Sequence, residues 1–282
     1  MQDLAGRTCL VTGATSGIGE QTALGLARLG ARVLIVGRSR ERGERVRRAI
    51  ASRSGNSAIE LLLADLASLA EVRRLADEVT ARAPELHVLV NNAGVVNLSR
   101  STTVDGYETT FAVNHLAYFL LTRRLLPLLE RSAPARIVNV ASDAHRFGPL
   151  DLDDLQSERR YRSMRVYGAS KTANLLFSFE LARRLEGRPI TVNALHPGAV
   201  GTRLGQNNGW IGRVATGLLR PFFLTPEQGA ETSLYLATAP ELAGVSGRYY
   251  AKKREREPAP HARDAIAAKR LWEESERMVG LA

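Results

Sequence analysis

Short apolar runs recur along the chain, and between them apolar residues return every three or four positions. The runs are Cys9–Val11, Arg32–Val36, Ile59–Leu63, Val88–Val90 and Arg136–Val140. They are short and mostly Val, Ile and Leu, which predicts strands buried on both faces. The stretches between them carry helical spacing, as with Ala23, Leu26, Ala27 and Leu29. Alternating strand and helix predicts an α/β fold, a parallel sheet flanked by helices on both faces. No Pro/Gly/Ser-rich linker interrupts the 282 residues, so one domain over 1–282 is expected. Ala265, Ala268, Leu271, Trp272, Ser275 and Met278 predict a helical tail over about 258–282, packed over the functional side or used in oligomer contacts.

The first run ends in Thr12-Gly13-Ala14-Thr15-Ser16-Gly17-Ile18-Gly19, and a helical pattern follows. Strand, glycine turn and helix form the context of a dinucleotide-binding turn in a Rossmann-like, doubly wound sheet. The glycines let backbone approach a pyrophosphate, and the helix N-terminus offers free N–H groups. A purely structural turn is the alternative. The second run leads into Gly37-Arg38-Ser39-Arg40, with no acid before Glu41. An acid at this station binds the ribose hydroxyl of NAD, whereas Arg accommodates the 2′-phosphate of NADP. Arg38 therefore favours NADP(H) over NAD, with Arg40 assisting. Asp65, after the third run, fits either a hydrogen bond to an adenine amino group or an N-cap of the next helix. Asn91-Asn92-Ala93-Gly94, after the fourth, fits either a tight turn or a backbone floor beneath the cofactor.

Tyr167-Gly168-Ala169-Ser170-Lys171 carries the clearest chemistry. Residues four apart share one helix face. A free phenol has a pKa of about 10, and a nearby ammonium lowers it. Tyr167 beside Lys171 is thus a candidate proton donor and acceptor for a carbonyl/alcohol pair.

Thr12-Gly13-x-x-x-Gly17-Ile18-Gly19, Asn91-Asn92-Ala93-Gly94 and Tyr167-x-x-x-Lys171, in that order, resemble the signatures of the short-chain dehydrogenases/reductases. Arg136-Ile137-Val138-Asn139-Val140-Ala141-Ser142 with Ala144-His145, and the long insert before Tyr167, are similar to the retinol dehydrogenase-like branch. His196-Pro197-Gly198-Ala199-Val200, Thr225-Pro226-Glu227-Gln228-Gly229-Ala230, Ser246-Gly247-Arg248-Tyr249-Tyr250 and Leu271-Trp272 point the same way. The resemblance implies Tyr167 as general acid/base, with Lys171 as its electrostatic partner and a ligand of the nicotinamide ribose. It implies that Ser142 holds the substrate oxygen and that Asn114 anchors a water reaching Lys171. It implies cofactor contacts from Gly13, Thr15, Ser16, Gly17, Ile18 and Gly19, and from Asn92, Ala93 and Gly94. Asp65 and Leu66 would flank the adenine; Pro197, Gly198 and Thr202 would meet the nicotinamide. Asn114 lies within a helical pattern.

Composition narrows the picture. The formal net charge is +10, but of 39 basic side chains only Lys171, Lys252, Lys253 and Lys269 are Lys, and the Arg residues are scattered. A nucleic-acid surface would be clustered and mixed with stacking aromatics, so none is expected. Five His and one Cys without ligand spacing give no expectation of a metal site. Cys9 is expected to be buried in the first strand. That strand starts within ten residues, leaving no expected signal peptide or anchor. No run reaches about 18 apolar residues, so no membrane span is expected. A cytoplasmic protein follows.

Residues from about 200 to 224 are expected to form a substrate lid. Glycines there alternate with Trp210, Ile211, Val214, Leu218, Leu219, Phe222 and Phe223. Ordinary core packing of an amphipathic helix is one alternative, and a membrane-surface helix bordered by Arg213 and Arg220 is another. A greasy lid implies a small hydrophobic carbonyl or alcohol as substrate, and a homo-oligomer is possible. The expected function is hydride transfer between NADP(H) and such a substrate, with aldehyde or ketone reduction as the direction. A catalytically silent NADP-binding sensor or scaffold is the alternative, which intact Asn114, Ser142, Tyr167 and Lys171 disfavour. The glycine spacing also disfavours an epimerase or dehydratase.

Overall fold

The computed structural model describes residues 3–198 and 224–281. Its centre is an eight-stranded sheet in the order β3-β2-β1-β4-β5-β6-β7-β8. The strands are β1 (Thr8–Val11), β2 (Arg32–Gly37), β3 (Ile59–Leu63), β4 (Val88–Asn91), β5 (Ala135–Val140), β6 (Ile190–His196), β7 (Arg248–Ala251) and β8 (Arg254–Glu255). All neighbours pair in parallel except β7 and β8, which form an antiparallel hairpin. Val11 lies opposite both Ile35 and Val90, so β1 sits at the point where strand order reverses. Ligands of such sheets bind outside the C-terminal ends of the strands at this point.

The strand side chains divide between two cores with period two, as the pleat requires. Cys9, Val11, Val33, Ile35, Val88 and Val90 face one core with α1 (Gly17–Arg28), α2 (Arg40–Ser54) and the helix Pro226–Thr238. Leu10, Leu34, Leu62, Leu89, Ile137 and Val192 face the other. There they meet α3 (Leu69–Arg82), α4 (Ala117–Arg131), α5 (Ser163–Arg184) and the tail helix. We number the helix Pro226–Thr238 α6 and the tail helix Ala265–Met278 α7. Local signals set the helix starts. Ser39 caps α2, Ser68 caps α3, and Thr225 with Gln228 forms a capping box on α6.

The tail helix docks on α4 and α5. Asp264 accepts hydrogen bonds from the Ile266 and Ala267 N–H groups and so starts it. Its buried face carries Ala268, Leu271, Trp272 and Ser275, while Ile266 points to solvent. The Trp272 ring meets Phe119 edge-on at 5.0 Å and stacks on Phe177 at 5.9 Å. The guanidiniums of Arg184 and Arg123 lie 4.2 and 5.0 Å from its ring centre. Dispersion and cation–π attraction thus fall on one side chain. No helix among the described residues is long and apolar enough to cross a membrane.

Trp272→Ala empties this cluster and should cost about 3–5 kcal/mol in urea unfolding. A loss under about 1 kcal/mol would show that the tail helix holds without its ring.

Candidate active site

The glycine turn after β1 is shaped by backbone approach. Gly13 and Gly17 adopt φ of 64° and 59°, the left-handed region that side chains resist. A Cβ on Gly13 would lie 2.8 Å from the Ala93 Cα, and one on Gly19 would strike the Asn92 side-chain amide. The turn is stitched to the segment after β4. The Asn92 and Ala93 N–H groups donate to Thr12 Oγ1 at 2.9 and 3.1 Å, and Asn92 Nδ2 donates to the Thr12 carbonyl at 2.9 Å. Ser16 stands extended before α1, followed by Gly17, Ile18 and Gly19 in its first turn. Thr15, Ser16, Gly17, Ile18 and Gly94 are all half-buried around this turn. The result is a side-chain-free cradle at a helix N-terminus, which fits a pyrophosphate.

Four further expected residues follow β2 and β3. Arg38 follows the end of β2 and is exposed at the C-terminal edge of the sheet, as is Arg40. Asp65 is exposed and Leu66 is buried after β3. The capping alternative for Asp65 is not realised. Its Oδ1 accepts from the Ala67 N–H at 3.1 Å, and Ser68 caps α3 instead. Asn91 belongs to the core: its Nδ2 donates to Asn139 Oδ1 and Thr122 Oγ1 at 2.9 and 3.0 Å.

Tyr167 and Lys171 share one face of α5, as their spacing predicts, with Lys171 Nζ 5.7 Å from the Tyr167 ring centre. Both are buried. Lys171 Nζ donates to the Val140 carbonyl at 3.0 Å and lies 5.8 Å from the Tyr118 ring centre. The Tyr118 hydroxyl is anchored on the Ala93 carbonyl at 2.7 Å, which ties this ring to the cradle. Tyr167 packs with Val96 and Ala144 in a small apolar cluster. Ser142 follows β5 and opens a 3₁₀ turn over Asp143–Phe147, where its Oγ accepts from the Ala144 N–H at 3.2 Å.

The electrostatics depart from the expected Lys-lowers-Tyr picture. Burial pushes the Tyr167 phenol up to about 12, with a hydrogen bond from Ser142 pulling the other way. Burial pulls Lys171 down to about 7. Desolvation therefore outweighs the attraction between the two, because each charged form is held away from water.

Asn114 is also differently placed from a plain helical residue. It sits in a π turn, Ala112–Leu116, between a short helical turn and α4. Its side chain is fully engaged: Oδ1 accepts from the Val95 N–H at 2.8 Å, and Nδ2 donates to the Val95 carbonyl and Ser170 Oγ at 3.0 and 2.9 Å. Pro197 and Gly198 follow β6, half-buried, with the Gly198 N–H donating to His196 Nδ1 at 3.2 Å. Thr202 and nearly all of the expected lid lie outside the described residues. Sequence reasoning missed Thr12, whose hydroxyl joins the two cofactor-side segments. It also used Ala144-His145 only as a branch mark. Among the described residues, no group of three or more His, Cys, Asp or Glu side chains could hold a metal.

The geometry accords with three comparisons. A family model described as short chain dehydrogenase matches residues 7–209. Human retinol dehydrogenase 14 is 46% identical over 98% of this chain and 87% of that protein. An uncharacterized protein from Mycobacterium paratuberculosis superposes with a TM-score of 0.81 at 33% identity, over 99% of this chain and 96% of that one. The Pseudomonas aeruginosa RhlG/NADP active-site complex matches with a TM-score of 0.70 at 33% identity, over 88% and 94% of the chains. The chain belongs to the short-chain dehydrogenase/reductase family. Within it, the chain falls in the retinol dehydrogenase-like branch and is a nicotinamide-dependent oxidoreductase.

The depressed Lys171 pKa has a measurable sign. Between about 7 and the ordinary value of 10.5 the unfolded chain binds more protons at this residue, so its contribution to stability rises with pH. Tyr167 acts oppositely, and only between 10 and about 12. In urea unfolding at about pH 7 and about pH 9.5, Lys171→Met should remove a rise of at most about 1.4 kcal/mol per pH unit. Equal pH slopes in the wild type and the variant would rule out the shift.

Proposed function

We propose that this enzyme transfers a hydride between NADP(H) and the carbonyl or alcohol carbon of a small hydrophobic substrate, and that it works chiefly as an aldehyde or ketone reductase in the cytoplasm. The observation that carries the proposal is the meeting of Ser142, Tyr167 and Lys171 beside the strand-order reversal. Support for the cofactor comes from the cradle of Gly13, Gly17 and Gly19 over Asn92 and Ala93. In this reading Thr15, Ser16, Ile18 and Gly94 contact the pyrophosphate side. Asp65 and Leu66 flank the adenine, and Pro197, Gly198 and Thr202 meet the nicotinamide. Arg38 after the end of β2, with no acid before Glu41 in the sequence, supports the 2′-phosphate and hence NADP. The NADP in the Pseudomonas relative supports the same choice.

NADPH, when bound, supplies the hydride. The chain's own residues manage the oxygen. Ser142 donates a hydrogen bond to the substrate oxygen as negative charge grows on it. The Tyr167 phenol, kept protonated by its burial, delivers its proton to that oxygen. Lys171, held by the Val140 carbonyl and the Tyr118 ring, supplies positive charge next to the phenolate that remains. It would also hold the nicotinamide ribose of the bound cofactor. Asn114 is a positioning residue in this scheme. Its side chain is spent on Val95 and Ser170, so a water held there would have to meet the backbone of the π turn.

Hydrophobic character in the substrate is supported by exposed apolar side chains that neighbour Val96, Ala144 and Tyr167 in the sequence. Leu98, Phe147 and Met164 are each about half exposed, at 55%. Large exposed apolar groups beside a reactive residue fit an apolar ligand. The names of the retinol dehydrogenase relatives, which denote a greasy alcohol, agree.

The test is NADPH and NADH turnover against carbonyls graded from small and polar to long and apolar. Tyr167→Phe should lose about a hundredfold or more in kcat while binding NADPH normally. Near-normal turnover in this variant would remove Tyr167 from the chemistry. Arg38→Asp should shift the NADPH/NADH preference toward NADH by about tenfold or more. An unchanged preference would refute the role of Arg38. Tight NADPH binding with no turnover of any carbonyl would favour a silent sensor.

A further inference from the structure

We infer that His145 is a positioning residue for the Ser142 hydroxyl, acting through the Nδ1–H bond to the Ser142 carbonyl, while the Ala259 N–H on Nε2 holds the ring in the tautomer that makes that bond. The inference rests on the reading of Ser142 as the group that holds the substrate oxygen.

His145 is fully buried in the 3₁₀ turn that Ser142 opens. Its Nδ1 lies 2.7 Å from the Ser142 carbonyl oxygen. A carbonyl only accepts, so Nδ1 carries the proton. Its Nε2 accepts from the Ala259 N–H at 3.1 Å, 114 residues away in sequence. Together the two bonds specify one neutral tautomer. A second proton would set N–H against N–H at Ala259. Burial lowers the pKa of the ring below its ordinary value, which favours that form. The Ser142 carbonyl and Asp143 oppose this, and Arg146 and His261 add to it.

The backbone of the same residue is gripped as firmly. The His145 carbonyl accepts from His261 Nε2 at 2.8 Å and lies 3.3 Å from Thr172 Oγ1, whose proton is shared with the nearer Gly148 carbonyl at 2.7 Å. The ring also meets Tyr249 edge-on at 5.4 Å. Ring and carbonyl thus join three elements at one point: the Ser142 turn, α5 and the segment before the tail helix. The Ser142 carbonyl receives both the ring N–H and the backbone N–H of His145, the latter at 3.2 Å. The orientation of that peptide sets where Ser142 Oγ points. A hydroxyl that must meet a reacting oxygen loses rate steeply when displaced.

Two conservative variants separate the two ends of the ring. His145→Asn keeps an N–H near the position of Nδ1 and should hold kcat within about threefold. In that variant the Ala259 amide should lose its protection from hydrogen exchange. His145→Gln reaches the position of Nε2. It should keep Ala259 protected but lose kcat about tenfold or more, with NADPH affinity within about twofold. In a Ser142→Ala background, His145→Gln should lower the residual kcat no further, because it acts through Ser142. Equal kcat in the Asn and Gln variants, or full additivity with Ser142→Ala, overturns the inference. Wild-type turnover in Ser142→Ala would instead remove the underlying reading of the site. An impaired Ser142→Ala beside a fully active His145→Gln removes only the role of His145.

Discussion

The active site depends on a contact that contains no side chain. Gly148, closing the turn that begins at Ser142, lies against the backbone of Gly168, the residue after Tyr167. A Cβ on Gly148 would overlap the Gly168 and Ala169 backbone, and one on Gly168 would lie 2.6 Å from the Ala144 carbonyl oxygen. The Thr172 hydroxyl secures the same junction by donating to the Gly148 carbonyl at 2.7 Å. The separation between the Ser142 and Tyr167 hydroxyls is therefore fixed by two backbones in contact. Any methyl inserted there acts as a wedge between them. The cradle after β1 follows the same rule, with Gly13 and Gly19 against Asn92 and Ala93.

Within this rigid frame, burial sets the chemistry. Lys171 and Tyr167 both lie where a charge is expensive, and both are pushed toward their neutral forms. A site built this way stores an unfavourable environment that becomes useful when negative charge develops on a substrate oxygen. In the proposed reading a protonated phenol and a serine hydroxyl meet that charge, and the phenolate left behind draws Lys171 back toward its protonated form, with little water to compete. The cost is borne by the fold. Two cores divided cleanly across the sheet, and a tail helix locked by Trp272, provide the stability against which that cost is set.

Much of this was legible in the sequence, for definite reasons. Strands buried on both faces announce themselves as apolar runs, so β1 to β5 fell within a residue of their expected bounds. The glycine turn, Asn91–Gly94 and the Tyr167/Lys171 pair were legible because each is local. What was not legible depends on contacts between distant segments or on depth. Apolar spacing does not reveal a π turn, which adds one residue to a helix whose pattern otherwise continues at Asn114. Asp65 and Ser68 are both competent caps, and only the actual start of α3 decides between them. The i,i+4 spacing of Tyr167 and Lys171 says that they meet, not how dry the meeting place is. The His145–Ala259 pairing has no local signature at all.

The C-terminal segment is where stability and activity come together. Its helix completes the larger core through Trp272. Its end is pinned by Tyr107, whose hydroxyl donates to the Met278 carbonyl, and by Arg73, which donates to the Val279 carbonyl. Its beginning, Ala259 to His261, holds the ring and carbonyl of His145. The family match ends at residue 209, so this tie joins His145 inside the matched segment to residues beyond it. The glycine cradle is thus built from motifs close together in the first strands of the sheet. The turn carrying Ser142 draws on the far end of the chain. Loosening of the tail would be felt first at the turn carrying Ser142, while the glycine cradle, stitched through Thr12, would keep its form.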